Sequence, residues 1–93
     1  MRLETLKRHL EKRWSGIPLY LYQEEGVTKM IVSAEDGFEI DGWPLGDYYD
    51  ASYFDPDENL HISGVNRKFV KFIEKRGFYF EWYNPGCISI YQD

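Results

Sequence analysis

The chain has 93 residues, one cysteine and a formal net charge of −5, from 16 acidic and 11 Lys or Arg side chains. That length predicts one domain, the single Cys87 excludes an internal disulfide, and no apolar run approaches the ~18 residues of a membrane-spanning helix. Phe, Trp and Tyr make up 18% of the chain; each one buried removes about 150–250 Å² from water, so a chain this small can still build a core.

Residues 2–14 read as a helix, because Leu3, Leu6, Leu10 and Trp14 recur on one stripe. Glu4 with Arg8 and Lys7 with Glu11 are opposite charges four apart on its outer face. Ser15-Gly16 stops it, with Gly16 suited to a left-handed cap, and Pro18 follows. Residues 17–24 then alternate as a strand, with Ile17, Leu19 and Leu21 on one face and Tyr20 and Tyr22 on the other. Glu25-Gly26 turns the chain into a returning strand over Val27 to Ala34. Phe38 to Ile40 reads as a short third strand ended by Asp41-Gly42.

Between Trp43 and Asp50, Pro44 and Gly46 break any regular helix and leave room for a single tight turn. Two short strands are expected at Ser52–Phe54 and Leu60–Ser63, joined by a D-P-D-E-N turn. Ser63-Gly64 leads into a second helix over Val65 to Arg76, with Ser63 or Asn66 as its N-cap and Gly77 as its C-cap. The chain ends in the strongest hairpin pattern it has: F-Y-F-E-W-Y, a three-residue N-P-G turn, and C-I-S-I-Y. Phe78, Phe80 and Trp82 share one face of that hairpin; Tyr79, Glu81 and Tyr83 share the other. The expected fold is α+β: a two-layer sandwich with a mainly antiparallel sheet of about five strands and two amphipathic helices on one face.

Charge is segregated along the chain. Residues 1–14 carry five Lys or Arg against two Glu, and residues 65–77 carry five against Glu74 alone. Between them, Glu35 to Glu58 holds nine carboxylates and no cation, threaded with six aromatic residues. Its D-P-D-E-N-L-H-I-S-G-V-N run begins like a calcium loop at Asp55, Asp57 and Asn59. It fails at Leu60, where a glycine must turn the chain, and at Asn66, where a bidentate Glu belongs. His9, His61 and Cys87 lack paired zinc-ligand spacing. Cys87 and His61 contain the elements of a nucleophile and base, but no third orienting group accompanies them. No phosphate loop, nucleophile elbow or metalloprotease motif is present. No cofactor and no enzymatic activity are expected.

Two binding readings remain. In the first, the acidic-aromatic stretch docks a protein partner, with its carboxylates suited to a basic one, through Asp41, Trp43, Asp47, Tyr48, Tyr49, Asp50, Tyr53, Asp55, Asp57 and Glu58. Trp and Tyr anchor interfaces, and carboxylates steer basic partners. In the second, Arg2, Lys7, Arg8, Lys12 and Arg13, or Arg67, Lys68, Lys71 and Lys75, neutralise phosphates of a single-stranded nucleic acid. Tyr20, Tyr22, Tyr79, Tyr83 and Tyr91 would then supply a stacking face on the sheet.

The run G-F-E-I-D-G-W-P-L-G-D-Y-Y, followed by G-V-N-R-K-F-V-K-F-I-E-K-R-G-F-Y-F-E-W-Y-N-P-G-C-I-S-I-Y, resembles small uncharacterised proteins of bacterial genomes, often on mobile elements of gut bacteria. The likeness covers about the last two-thirds of the chain. It implies a bacterial accessory protein and carries no functional residues across. The N-terminus lacks the apolar core and cleavage site of a secretory signal, so a cytoplasmic location is expected.

Overall fold

A computed structural model describes residues 1–48 and 61–93. The described chain is α+β, with a mainly antiparallel sheet and two helices. Helix α1 spans Leu3–Arg13. Its Leu6 and Leu10 are fully buried and Trp14 nearly so, as their shared stripe requires. The Lys7 ammonium lies 2.9 Å from Glu11, while Arg8 instead reaches the Thr5 hydroxyl. Trp14 closes the helix by donating its amide to the Leu10 carbonyl, and Gly16 takes φ +83° just beyond.

Four strands make the main sheet: β1 (Leu19–Glu24), β2 (Val27–Ser33), β7 (Phe78–Asn84) and β8 (Cys87–Gln92). Their order is β1-β2-β8-β7, every neighbour antiparallel. Two sequence-local hairpins are thus joined through their later strands. Register sets the faces: Leu21, Met30, Ile90 and Phe80 align across the four strands, as do Leu19, Val32, Ile88 and Trp82. These side chains share one buried cluster with Leu6 and Leu10 of α1.

Among the described residues the remaining four strands are two-residue pieces, and the main sheet has four strands rather than about five. β3 (Glu39–Ile40) pairs with β4 (Trp43–Pro44), and β5 (His61–Ile62) pairs with β6 (Val65–Asn66). They form two separate ribbons beside the four-stranded sheet. The hairpins β1–β2, β3–β4 and β5–β6 turn by one device. Glu25-Gly26, Asp41-Gly42 and Ser63-Gly64 each place two consecutive residues at positive φ, the type I′ geometry that matches strand twist.

That device corrects the reading of Ser63-Gly64. The pair closes β5 on β6 instead of opening a helix, so Val65 and Asn66 are strand residues. Helix α2 begins later, at Arg67, and ends at Glu74. Asn66, not Ser63, is its N-cap: its Oδ1 accepts the Lys68 amide at 3.0 Å. Phe69, Val70 and Ile73 of α2 enter the same core as α1. Trp43–Pro44, read as a break, is a short strand held to β3, and the Leu45 amide continues the pairing to the Phe38 carbonyl. The last turn is tighter than N-P-G implies. Asn84 already pairs with Cys87, an irregularity between Trp82 and Asn84 absorbs the extra residue, and Asn84 Oδ1 accepts the Gly86 amide. The strand expected at Ser52–Phe54 and its following turn lie outside the described residues.

Candidate functional site

The face of the main sheet opposite the core gathers residues from all four strands. Alternation places Tyr20 and Tyr22 there from β1, and Tyr79 and Tyr83 from β7. Tyr91 comes from β8, the inserted strand, which brings the two outer pairs into one surface. All five tyrosines are exposed, Tyr83 most at 70%. Tyr79 and Tyr91 are cross-strand partners whose rings stack with centroids 5.5 Å apart. Charge on this face is sparse: Lys29 lies 3.6 Å from Glu24, and Glu81 is exposed on β7.

A cleft opens into this face. β2 and β8 pair only from Met30 to Ser33 with Cys87 to Ile90. Beyond Met30, β2 pairs with β1 alone; beyond Ile90, β8 pairs with β7 alone. The gap where they part has a volume of about 400 Å³, within the range of ligand-sized concavities. Tyr22, Lys29, Ser89 and Tyr91 line it from the open face, and Leu3 and Gln92 from the helix side. Gln92 also donates to the Met1 carbonyl, which ties the start of the chain to the end of β8. Alternation in the sequence exposes the tyrosines; it gives no signal for this parting of two non-adjacent strands.

The acidic-aromatic stretch is described only in part. Asp41 is exposed at the tip of the β3–β4 turn and forms an ion pair with Lys68 of α2. The Lys68 ammonium, first by hydrogen bonding and then by charge, holds the Asp41 carboxyl below the usual carboxylate range. Trp43 is half-buried on β4, and Asp47 is half-buried with its amide on the Gly64 carbonyl at 2.8 Å. Tyr48 is half-exposed, and its ring meets Trp82 edge-on at 5.2 Å. Tyr49, Asp50, Tyr53, Asp55, Asp57 and Glu58 lie outside the described residues, as do the acidic positions of the calcium-like run.

Trp82 is the residue that sequence reading placed on a face without foreseeing its role. Its indole lies near both Gly46 and Gly64, where a Cβ would sit 3.1 and 3.3 Å from ring atoms. Its Nε1 donates to the Ser63 carbonyl at 2.7 Å. It therefore braces the β5–β6 ribbon, which follows the acidic stretch in the chain, against the main sheet.

His61 and Cys87 have different surroundings. The His61 Nε2 lies 3.1 Å from the Pro44 carbonyl, while Cys87 stands between Ser33 and Asn84 in the sheet ladder. Among the described residues, no three His, Cys, Asp or Glu side chains gather as a metal site. Among the same residues, no helix is long and apolar enough to cross a membrane. The chain matches no protein-family model, no curated protein and no solved structure at a significant level.

Proposed function

We propose that this is a small non-enzymatic binding protein whose partner is a protein, held on the tyrosine face of the sheet. In this reading the fold is a two-layer sandwich, the helices backing the sheet and leaving one face for contact. The observation that carries the proposal is the gathering of Tyr20, Tyr22, Tyr79, Tyr83 and Tyr91, all exposed, on one sheet face, with Tyr22, Tyr83 and Tyr91 lining the β2–β8 cleft. Tyrosine is an amphipathic anchor that buries a large ring while its hydroxyl keeps a hydrogen-bond partner. Protein interfaces favour such rings and exclude charge from their centre.

The charge of the face supports a protein over a nucleic acid. Its one lysine, Lys29, already has Glu24 beside it, and Glu81 adds a further negative charge. The cations of α1 and α2 belong to elements packed on the other side of the sheet, so tyrosines and phosphate-neutralising groups do not form one strand-binding track.

A second surface is favoured by the bracing of Tyr48 on Trp82. An exposed ring held edge-on by a fixed indole loses little freedom on binding, which suits it as an anchor for a basic partner. It belongs to the acidic-aromatic stretch itself.

The test is affinity capture from lysate with three baits: wild type, Tyr22→Ala/Tyr83→Ala and Tyr48→Ala, each confirmed folded and each assayed with and without nuclease. The tyrosine-face reading expects a protein that survives nuclease treatment and is lost with Tyr22→Ala/Tyr83→Ala. Loss with Tyr48→Ala alone moves the interface to the acidic stretch. Identical captures with all three baits would remove both surfaces, and loss on nuclease treatment would replace the protein partner by a nucleic acid.

A further inference from the structure

We propose that the concavity between the C-terminal end of α1 and the outer side of α2 binds the phosphodiester backbone of a single-stranded nucleic acid. The two basic runs of the sequence, more than 50 residues apart, meet here. The lining comprises Arg13, Lys68, Lys71, Lys75 and Arg76 around Trp14 and Phe72, in a depression of about 420 Å³. Five of its seven residues are cations and none is an acid.

The two arginines are held in place. The Arg76 guanidinium lies 3.5 Å from the centre of the Phe72 ring and donates to the Phe72 carbonyl. Arg13 lies 4.9 Å over the Trp14 ring. Trp14 and Phe72 are themselves 5.1 Å apart. The result is a continuous row, cation–ring–ring–cation, that spans from α1 to α2 and spends little entropy on ordering its end charges.

The lysines add a second row. Lys68, Lys71 and Lys75 follow the 3–4 spacing of one helix stripe and cover about 10 Å of axis. Among the described residues, the carboxylates paired with them are Asp41 on Lys68, and Glu74, 3.7 Å from Lys71. Both carboxylates are surface groups outside the lining, so over the described residues the patch keeps a net positive charge of +3, on a chain whose total is −5.

The choice of a nucleic acid over an acidic protein rests on what the patch lacks. Trp14 is only 9% exposed, so its ring supports a guanidinium and offers little face to a partner. Phe72 is half-buried with the Arg76 guanidinium over its ring, and three lysines around so little accessible apolar surface are poor material for a protein interface, where lysine is depleted. They suit a ligand that presents evenly repeated charge. With few bases able to stack, the contact is sequence-independent. It is also independent of the tyrosine face, so either proposal can fail alone.

The experiment is fluorescence anisotropy with a labelled oligothymidylate of about 20 nucleotides, titrated with the whole protein at several salt concentrations. Three proteins are compared: wild type, Lys71→Glu/Lys75→Glu, and Lys29→Glu as a charge change on the sheet side. All three positions are on the surface, and matched thermal melts verify the folds. About three neutralised phosphates give a log–log salt slope near −2, so affinity should fall about fifteenfold from 50 to 200 mM salt. Lys71→Glu/Lys75→Glu should weaken binding at least about tenfold, with a flatter slope, and Lys29→Glu should leave it unchanged. Absence of wild-type binding at about 100 μM protein in low salt would overturn the proposal. So would weakening by Lys29→Glu at least about half as large on a logarithmic scale, which makes the effect bulk charge because that variant changes half the charge, or displacement of the oligonucleotide by polyglutamate at equal charge concentration, which makes the ligand an acidic protein segment.

Discussion

The indole nitrogen of Trp82 donates to the carbonyl of Ser63 across 2.7 Å, joining a strand of the main sheet to the turn of the β5–β6 ribbon. This bond links sheet to ribbon at the point where the backbone is at positive φ, and the same ring packs by Gly46, Gly64 and Tyr48. Trp82→Phe keeps most of the apolar contact and removes the donor. It should cost about 1–2 kcal/mol, the net value of one hydrogen bond plus some lost ring area. Urea denaturation followed by circular dichroism measures it, and a cost indistinguishable from zero would mean the brace contributes nothing.

Asn66 holds a larger share of the ribbon. It is 4% exposed, its Oδ1 caps α2, and its Nδ2 faces the carbonyls of Ile40, Trp43 and Pro44 at 3.3–3.5 Å. Asn66→Ala loses the cap, about 0.5–2 kcal/mol. It also strands buried carbonyls, at about 1–3 kcal/mol for a lost partner. Asn66→Asp restores the cap acceptor but turns a carboxylate towards those carbonyls. It should therefore rescue little or none of the loss at neutral pH. Full rescue by Asp in equilibrium unfolding would show that only the cap matters.

Glycine at position 64 is required twice. Its φ is +81°, and a Cβ there would lie 2.8 Å from the Asp47 carbonyl oxygen, a backbone atom that cannot swing aside. Gly26 has nearly the same φ, +79°, with nothing within 4 Å of its Cβ position. Gly26→Ala should cost about 1–2 kcal/mol for the left-handed backbone alone. Gly64→Ala should exceed it by at least about 1 kcal/mol, since the ribbon must also shift. Parallel thermal melts of the two variants compare them directly; equal losses would deny the close approach.

The Asp41–Lys68 pair sets an acid limb. Because Lys68 lowers the folded-state pKa of Asp41, its contribution is complete above the unfolded carboxylate value of about 3.9. It disappears as pH falls through the lower, folded value. The difference in melting temperature between wild type and Asp41→Asn should be level from about pH 5 to 7 and close below about pH 4. The pair is on the surface, so the difference should be small and shrink with salt. A gap that widens in acid would reverse the assigned direction.

Much of the fold is legible in local pattern. The stripe Leu3, Leu6, Leu10, Trp14 marks α1 to within a residue at each end, because 3.6-residue periodicity is a property of the segment itself. The alternation of Tyr20 and Tyr22 against Leu19 and Leu21, and of Tyr79 and Tyr83 against Phe78 and Phe80, gives the two faces of the outer strands for the same reason. Periodicity assigns a face but never a neighbour. Only tertiary structure sets β8 between β2 and β7, which unites five tyrosines and opens the cleft where β2 and β8 part. Only tertiary structure makes Ser63-Gly64 a hairpin turn rather than a helix approach. Asp47 bonds to the Gly64 carbonyl, Asn66 to the Leu45 carbonyl and Trp82 to the Ser63 carbonyl, all partners at least 17 residues away. Likewise the sequence by itself places two basic runs at a distance, and the packing of α1 and α2 into one core brings Arg13 and Lys71 into the lining of one depression. Backbone preference and side-chain period act over a few residues, so they determine elements; hydrogen bonds and burial between distant residues decide which elements meet, and so where a partner can bind.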